Sequence, residues 1–382
     1  MKELILMYWG TVFFIYLSDA YCPSMLDGKY RIGKTGFMWR KSDVFMIIAI
    51  IWMTCFSFLR TGYNDTFQYI ILFREAIPVR ETFLTGVVFD LAGNPGSLLY
   101  RSIIHDLTDN YHIYFLFPAL MSSFSVIKLF KHYSVNPAFS LLIFFSIGTY
   151  VMYIAALKQS MAMFFLLMAL PYAIERKYIR FYLLVIVAIL FHTHAFLFAV
   201  VPFLTGRPWA KATWMFLGAV VFAIATYDAT LGAFMEFAQS IGATVAEREV
   251  FDGHSINFLR VLVYWIPALL ALFFNRALFR NSTKVENLFV NMSITSAFIL
   301  TIGLREGANL YARMAAYFEI STAISIPWMI NKIFKRQSAH ILTIVASILY
   351  FGYFLYEFAI AKDFGNTYSA ISFWEFVVSL LV

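Results

Sequence analysis

Charge is what this sequence has least of. Asp, Glu, Lys and Arg make up 13% of its 382 residues, where soluble globular domains carry about 25%. With 61% of residues hydrophobic and 19% aromatic, too little polar material remains to build a water-facing surface. A bilayer removes that requirement, because lipid then solvates the helix exteriors. Cysteine is nearly absent as well. Cys22 and Cys55 are the only two, which excludes a disulfide scaffold. There is no metal-ligand spacing, no Walker loop and no glycine fingerprint, so neither a metal nor a cofactor is expected. The apolar stretches lack the period-2 alternation of an outer-membrane barrel. No small-residue cleavage site follows the first of them, 4–17, which reads as a helix rather than a removed signal. Internal repeats and low-complexity linkers are also missing, so residues 1–382 read as one integral membrane domain.

What is present is a series of apolar stretches: 4–17, 44–59, 112–127, 138–157, 160–174, 181–204, 212–227, 256–274, 288–304, 310–330 and 341–360. Their lengths suit a hydrocarbon core of about 30 Å, some with local thinning. The expected fold is all-α: a polytopic transmembrane helix bundle of about 11–12 membrane segments. Lys29, Arg31, Lys34, Arg40 and Lys41 lie between the first two stretches. They place the 18–43 loop on the cytoplasmic side and the N-terminus outside. The segment 60–111 carries Asp65, Glu75, Glu81, Asp90, Asp106 and Asp109 and faces out.

Taken as one span, 181–204 would invert every later loop. The acidic 228–255 would lie inside, and Arg276, Arg280 and Lys284 outside. Breaking the stretch at His192-Thr193-His194 restores the rule, since polar groups are costly at the bilayer centre. Both termini then face out. Of the 29 Lys and Arg, 18 fall inside, with 5 of the 22 acidic residues. The basic excess therefore reports topology, and no nucleic-acid partner is implied. Within 60–111, Phe67–Phe73 and Leu84–Leu91 interleave apolar and charged residues, as amphipathic helices on the outer interface do. Asn94-Pro95-Gly96 reads as a turn. The 228–255 segment reads as an outer-face loop able to cover a cavity.

Under this topology the unusual polar residues share the outer side. Arg60 and Asp65 follow the second span. Lys158 and Gln159 separate the fourth from the fifth. His192 and His194 mark the break, and Arg305, Asn309 and Arg313 lie around the start of 310–330. Arg and Lys hold phosphate oxygens, and a His or Asp can act as a base. Such a ring of helix ends is what anion chemistry at a membrane surface requires. Each residue also has a plainer reading. An Arg ending a span often snorkels to headgroups. Asp65 fits a helix N-cap, Lys158 an ordinary loop lysine, and the histidines an interfacial hydrogen-bonded pair. Histidines two apart do not share a helix face, so these two alone make no zinc site. Glu319 and Glu357, inside spans, read as structurally paired.

Five segments occur in order. They are Leu59-Arg60-Thr61-Gly62-Tyr63-Asn64-Asp65-Thr66-Phe67-Gln68-Tyr69, then Asn94-Pro95-Gly96-Ser97-Leu98-Leu99, then Lys158-Gln159-Ser160-Met161-Ala162. After these come His192-Thr193-His194-Ala195 and Asn309-Leu310-Tyr311-Ala312-Arg313-Met314-Ala315-Ala316-Tyr317-Phe318. Together they resemble the EpsG family of bacterial exopolysaccharide proteins, which are Wzy-like polymerases. The resembled motifs are the arginine with Gly-x-Asp and Tyr, E-P-G-F-x-x-L, R-Q-x-x-A, H-x-S-A and R-x-x-x-Y-F. This chain departs from them in having Asn94 for Glu, Lys158 for Arg and His194 for the small polar residue. Lys158 keeps the charge but lacks the guanidinium fork.

The resemblance implies a GT-C-like glycosyltransferase in the bacterial cytoplasmic membrane, with its active site on the outer side. It would join polyprenyl-pyrophosphate-linked oligosaccharide units into exopolysaccharide, capsule or O-antigen; pyrophosphate is already a good leaving group, so no metal is required. Arg60, Lys158, Arg305 and Arg313 would hold the departing pyrophosphate. Gln159, His194 and Tyr317 would bind substrate, and His192, or else Asp65, would take the acceptor proton. Membrane lipids surround the chain, and a chain-length regulator and a flippase are the partners expected by family analogy. Three alternatives remain open. One is a polyprenyl-phosphate-sugar-dependent glycosyltransferase using Asp106 and Asp109. Another is a polysaccharide flippase or transporter, whose site would lie at broken helices near the midplane. The third is an O-acyltransferase using the histidines.

Overall fold

The computed structural model describes residues 2–21, 43–240, 255–305, 308–360 and 368–380. The basic cluster Lys29 to Lys41, Cys22, residues 241–254 of the acidic loop and the side chain of Asn309 lie outside them.

The chain is an all-α polytopic helix bundle. Helices α1 (Lys2–Tyr21) and α2 (Val44–Phe58) are followed by the short strand β1 (Arg60–Gly62). Helices α3 (Thr66–Arg74), α4 (Val79–Leu84) and α5 (Pro95–Leu107) then lead to α6 (Tyr111–Tyr133). Next come α7 (Pro137–Ser146), α8 (Thr149–Ala155), α9 (Leu157–Ile174), α10 (Tyr178–Phe191) and a 3₁₀ segment, Thr193–Thr205. They are followed by α11 (Lys211–Ala225), α12 (Tyr227–Ser240), α13 (Phe258–Phe273) and α14 (Asn275–Phe279). The chain continues through α15 (Lys284–Ile302), α16 (Ala308–Ile333) and α17 (Arg336–Leu355). It ends on the strand β2 (Ser369–Ala370) and α18 (Phe373–Ser379).

Among the described residues, five helices are long and apolar enough to cross a bilayer: α1, α6, α9, α15 and α17 with its continuation. Two bent pairs, α7–α8 and α11–α12, pass the same test together. The shorter α2, α10, 193–205 and α13 are apolar too. With α16, these twelve elements match the eleven stretches read from the sequence, 181–204 being divided between α10 and 193–205.

Two of those stretches, and one part of the 60–111 segment, are shaped differently than the sequence suggests. The stretch 138–157 is two helices bent by 63°. Gly148, at φ 82, is left-handed there, a conformation glycine takes without steric cost. The carbonyl of Ile147, freed by the break, accepts from the Tyr264 hydroxyl at 3.0 Å. The stretch 212–227 turns by 105° into α12, so the first part of the expected outer loop 228–255 is helical. Leu84–Leu91, read as one amphipathic helix, is not one. Helix α4 stops at Leu84, and Gly86 at φ 73 starts a separate 3₁₀ turn.

The expected break in 181–204 is present. His192 leaves the helical region at φ −152, ψ 112. The following 3₁₀ segment folds back along α10, with Phe181 stacked on Phe198 and the Tyr182 hydroxyl donating to Ala199 O at 3.4 Å. The chain therefore turns at the histidines. Its far end is tied near the start of α15, where Asn291 Nδ2 donates to Leu204 O and Gly206 O at 2.7 and 2.8 Å.

Lipid tails supply no hydrophobic drive between helices, so polar side chains and close packing hold them together. Ser293 on α15 meets Ser321 and Ser325 on α16 at 3.0 Å each, and Ser140 on α7 donates to Ala323 O at 2.6 Å. At one end of the bundle, Lys131 bridges Asp19 and Asp43 at 3.7 and 3.5 Å. At the other end, β2 pairs antiparallel with β1, bringing Ala370 opposite Arg60. Phe376 of α18 packs edge-on against Phe58 and His112. The last described residues thus strap the segment that carries Arg60.

The hairpin at His192 makes a topological prediction. Single cysteines at Asp109, Arg207 and Ser240, in a background without Cys22 and Cys55, should react differently with an impermeant thiol reagent. Positions 109 and 240 are expected to label from outside in intact cells, and 207 only after permeabilisation. Outside labelling at 207 would overturn the expected arrangement.

Candidate functional site

The site is organised by the turn at His192-Thr193-His194. Helix α5 braces it. Asn94 caps α5 in the left-handed region, at φ 56, which Asn tolerates better than most residues. Pro95 follows at the first helical position, where its missing N–H costs nothing. The Asn94 side-chain oxygen accepts from both the backbone N–H and the hydroxyl of Thr193, at 3.1 Å each. Gly96 permits this approach: a β-carbon there would stand 3.0 Å from Leu190 O. What reads as a turn in the sequence is the start of a helix whose cap fixes the residue between the two histidines.

On the other side of the turn, His192 Nδ1 lies 2.5 Å from the Tyr317 hydroxyl of α16. Tyr317 is fully buried, so this contact fixes the ring. The two imidazoles face each other with centroids 5.2 Å apart, and His194 Nε2 is buried without a hydrogen-bond partner. One turn before Tyr317, α16 carries Arg313 with its side chain exposed. Helix α9 joins here. Gln159, buried in its first turn, donates from Nε2 to Arg313 O at 2.7 Å, while its Oε1 has no partner. Lys158, half-buried beside it, and Arg313 are the cations whose fields reach His192.

Arg60 and Asp65 belong to the adjoining segment. Arg60 is buried: its Nε donates to Thr66 Oγ1 at 3.1 Å, and Nη1 donates to Ser57 O. Its guanidinium stacks over Phe115, 4.2 Å from the ring centre. Burial draws it down to about 10, so it stays positive at neutral pH. Its Nη2 has no partner. These contacts hold β1 against α3 and are closer to a structural keystone than to a snorkelling surface arginine. Asp65 is the N-cap residue of α3 but makes no side-chain cap bond. It lies beside Tyr69, whose phenol is pushed up by burial first and by Asp65 second. The Tyr69 hydroxyl approaches the backbone of Leu157 and Lys158, and Arg313 also reaches it. Tyr69 therefore links the Asp65 segment to the start of α9.

The structure brings His192, His194, Lys158, Gln159, Arg313 and Tyr317 into one cluster, with Asp65 at its edge through Tyr69 and Arg60 behind. Arg305 stands apart. Its Nη1 donates to Ile224 O at 3.1 Å, and its guanidinium lies over Tyr227. Sequence reasoning missed Arg101 of α5, whose charge acts on Lys158 and Tyr114. In the sequence it is one charge in an amphipathic segment, and only the packing of α5 against the histidine turn singles it out. It also missed Arg260, which pairs with Glu319 at 3.7 Å and accounts for that glutamate as structurally paired.

Among the described residues, none of Arg60, Arg101, Lys158 and Arg313 forms an ion pair. Arg60 is buried, Lys158 and Arg101 are half-buried and Arg313 is exposed; a desolvated cation without counter-charge is costly, a cost an anion would offset. Compared with known families, residues 43–372 match the model of the EpsG family. No curated protein and no solved structure matches the chain.

Proposed function

The chain belongs to the EpsG family, and from that premise we propose that it is a glycan polymerase acting on polyprenyl-pyrophosphate-linked repeat units at the outer face of the cytoplasmic membrane. Membership of the family supports a Wzy-like role in polysaccharide polymerisation in general. The observation that carries the finer reading is the cluster of unpaired Lys158 and Arg313 around the His192–Tyr317 contact.

In this reading the growing glycan on its lipid carrier is the donor. A hydroxyl of an incoming lipid-linked unit attacks the donor's anomeric carbon. The new glycosidic C–O bond forms as the bond to pyrophosphate breaks, and the electron pair leaves with the pyrophosphate. Lys158 and Arg313 neutralise that charge as it develops, which is worth most in a site where the donors are already in place. Arg60 holds the 60–69 segment in position. With a proton on Nδ1, His192 donates to the Tyr317 oxygen, and Nε2 keeps a lone pair for the acceptor proton. Asp65 is the second candidate base. The segment 60–111, whose exposed Phe67, Leu84, Phe89 and Leu107 suit the lipid interface, flanks the lipid-linked substrates.

The test uses a strain lacking the protein. Single lipid-linked repeat units should accumulate on the outer leaflet, and purified protein in liposomes should convert them to polymer. Accumulation on the inner leaflet instead would sink the polymerase reading in favour of a transporter.

A further inference from the structure

Arg101 is not among the residues expected to form this site, yet its surroundings place it there. It lies on α5 two turns beyond Asn94, on the helix face that braces His192-Thr193-His194. That is about 10 Å along the axis at 1.5 Å per residue. The next-door residue fixes the helix. The Tyr100 hydroxyl donates to Tyr114 O at 2.7 Å, and the two rings stack with centroids 5.5 Å apart. Tyr114 in turn stacks on Phe73 of α3 at 5.0 Å. Helix α5 is thereby pinned to α6 and α3, with Arg101 half-buried on it. Its Nε is buried without a hydrogen-bond partner.

Arg101 is close enough to Lys158 for their charges to oppose each other. Among the described residues, neither forms an ion pair. Two half-buried cations within reach of each other's charge are destabilising unless an anion offsets them. The two also differ in a useful way. An ammonium is a point charge on a flexible stem, whereas a guanidinium offers a rigid planar fork matched to two oxygens of a phosphate.

We propose that Arg101 is a further substrate-binding residue, which supplies the two-point grip on a pyrophosphate that Lys158, as a lysine, cannot. This rests on the polymerase reading above for the identity of the anion. The group recognised is the pyrophosphate itself, whether carried on a polyprenyl chain or free as the departing product.

The test is equilibrium binding to the purified full-length protein in detergent, with inorganic pyrophosphate and polyprenyl pyrophosphate as separate probes. Arg101→Gln should weaken both by about 10- to 100-fold, the range for losing hydrogen bonds to a charged group. Arg101→Lys should recover only part of that. Adding Lys158→Arg to Arg101→Gln should restore more, because it returns a fork to the site. Thermal stability should stay near that of the parent, which separates binding from a structural role. Unchanged affinity in Arg101→Gln, while the parent binds, overturns the role of Arg101 and leaves the polymerase reading standing. Parent-like binding by Arg101→Lys overturns the fork argument. Weakening confined to inorganic pyrophosphate overturns the shared-group assignment. If the parent binds neither probe, the polymerase reading itself fails.

Discussion

His192→Ala is expected to abolish chain extension while lipid-linked single repeats persist. The imidazole is the one ring in the cluster held by a buried hydroxyl, Tyr317, at 2.5 Å. Removing a positioned general base typically costs 10²- to 10⁴-fold in rate, which over many additions leaves no long polymer. Tyr317→Phe is a graded companion. It keeps the base but removes the oxygen that sets the ring's tautomer and angle, so its loss should be smaller, on the order of tenfold. Both are read by separating labelled products by length after incubating purified protein with lipid-linked repeats. Full-length polymer from His192→Ala would remove His192 from the mechanism and leave Asp65 as the remaining candidate. An equal loss in both variants would indicate that Tyr317 acts mainly by holding α16 against the turn. Unfolding is a poor explanation of the His192 effect in advance, because the ring is half-buried and the break is held independently by Asn94.

Much of this cluster is legible in the sequence because lipid penalises polar side chains so heavily. In a run as apolar as 181–204, two histidines mark a place where the chain leaves the hydrocarbon. Charge asymmetry between loops gives the same break for an unrelated reason, and the structure has it at His192. Lys158-Gln159 is visible for a similar reason, as a two-residue polar step between apolar stretches. Arg101 is not visible that way. It sits in an amphipathic helix where charged residues are ordinary, and only the packing of α5 against the histidine turn gives it meaning. The same holds for Arg305. In the sequence it is another arginine near Arg313, but the bundle directs it to Tyr227 and Ile224 instead. The kink at Gly148 also escapes hydropathy. Both halves of the span are apolar, and the kink depends on one left-handed glycine and on a hydroxyl donated by Tyr264.

Below the cluster, the Arg260–Glu319 pair is where the largest stability effects are expected. Glu319 is fully buried, accepts from Thr149 Oγ1 at 3.2 Å and pairs with Arg260 at 3.7 Å. Thr149 is the first residue after the Gly148 kink, and Glu319 is two residues beyond Tyr317. The pair therefore fixes α8, which runs into Lys158, against the helix that carries Arg313. Glu357, held by the Tyr353 hydroxyl at 2.5 Å, is a second carboxylate whose field reaches Arg260. The two single removals should accordingly be unequal. Glu319→Leu leaves Arg260 with Glu357 still in range. Arg260→Met leaves two buried carboxylates and no cation. Breaking a buried ion pair by removing one partner costs about 3–5 kcal/mol. Arg260→Met is expected at the upper end of that range, and Glu319→Leu nearer the lower. Replacing both together should cost less than the sum, since apolar isosteres often substitute for a buried pair with little loss. A double-mutant cycle on thermal or denaturant unfolding in detergent measures the coupling directly. Strict additivity, or Glu319→Leu proving the more damaging single change, would mean that Glu357 does not share Arg260 and that the cluster is a simple pair. The activity of folded double-variant protein then separates two functions of the pair. If polymerisation survives, the charges serve only to hold the kinked span. If it is lost while stability is restored, the Thr149–Glu319 bond is what sets Lys158 against Arg313.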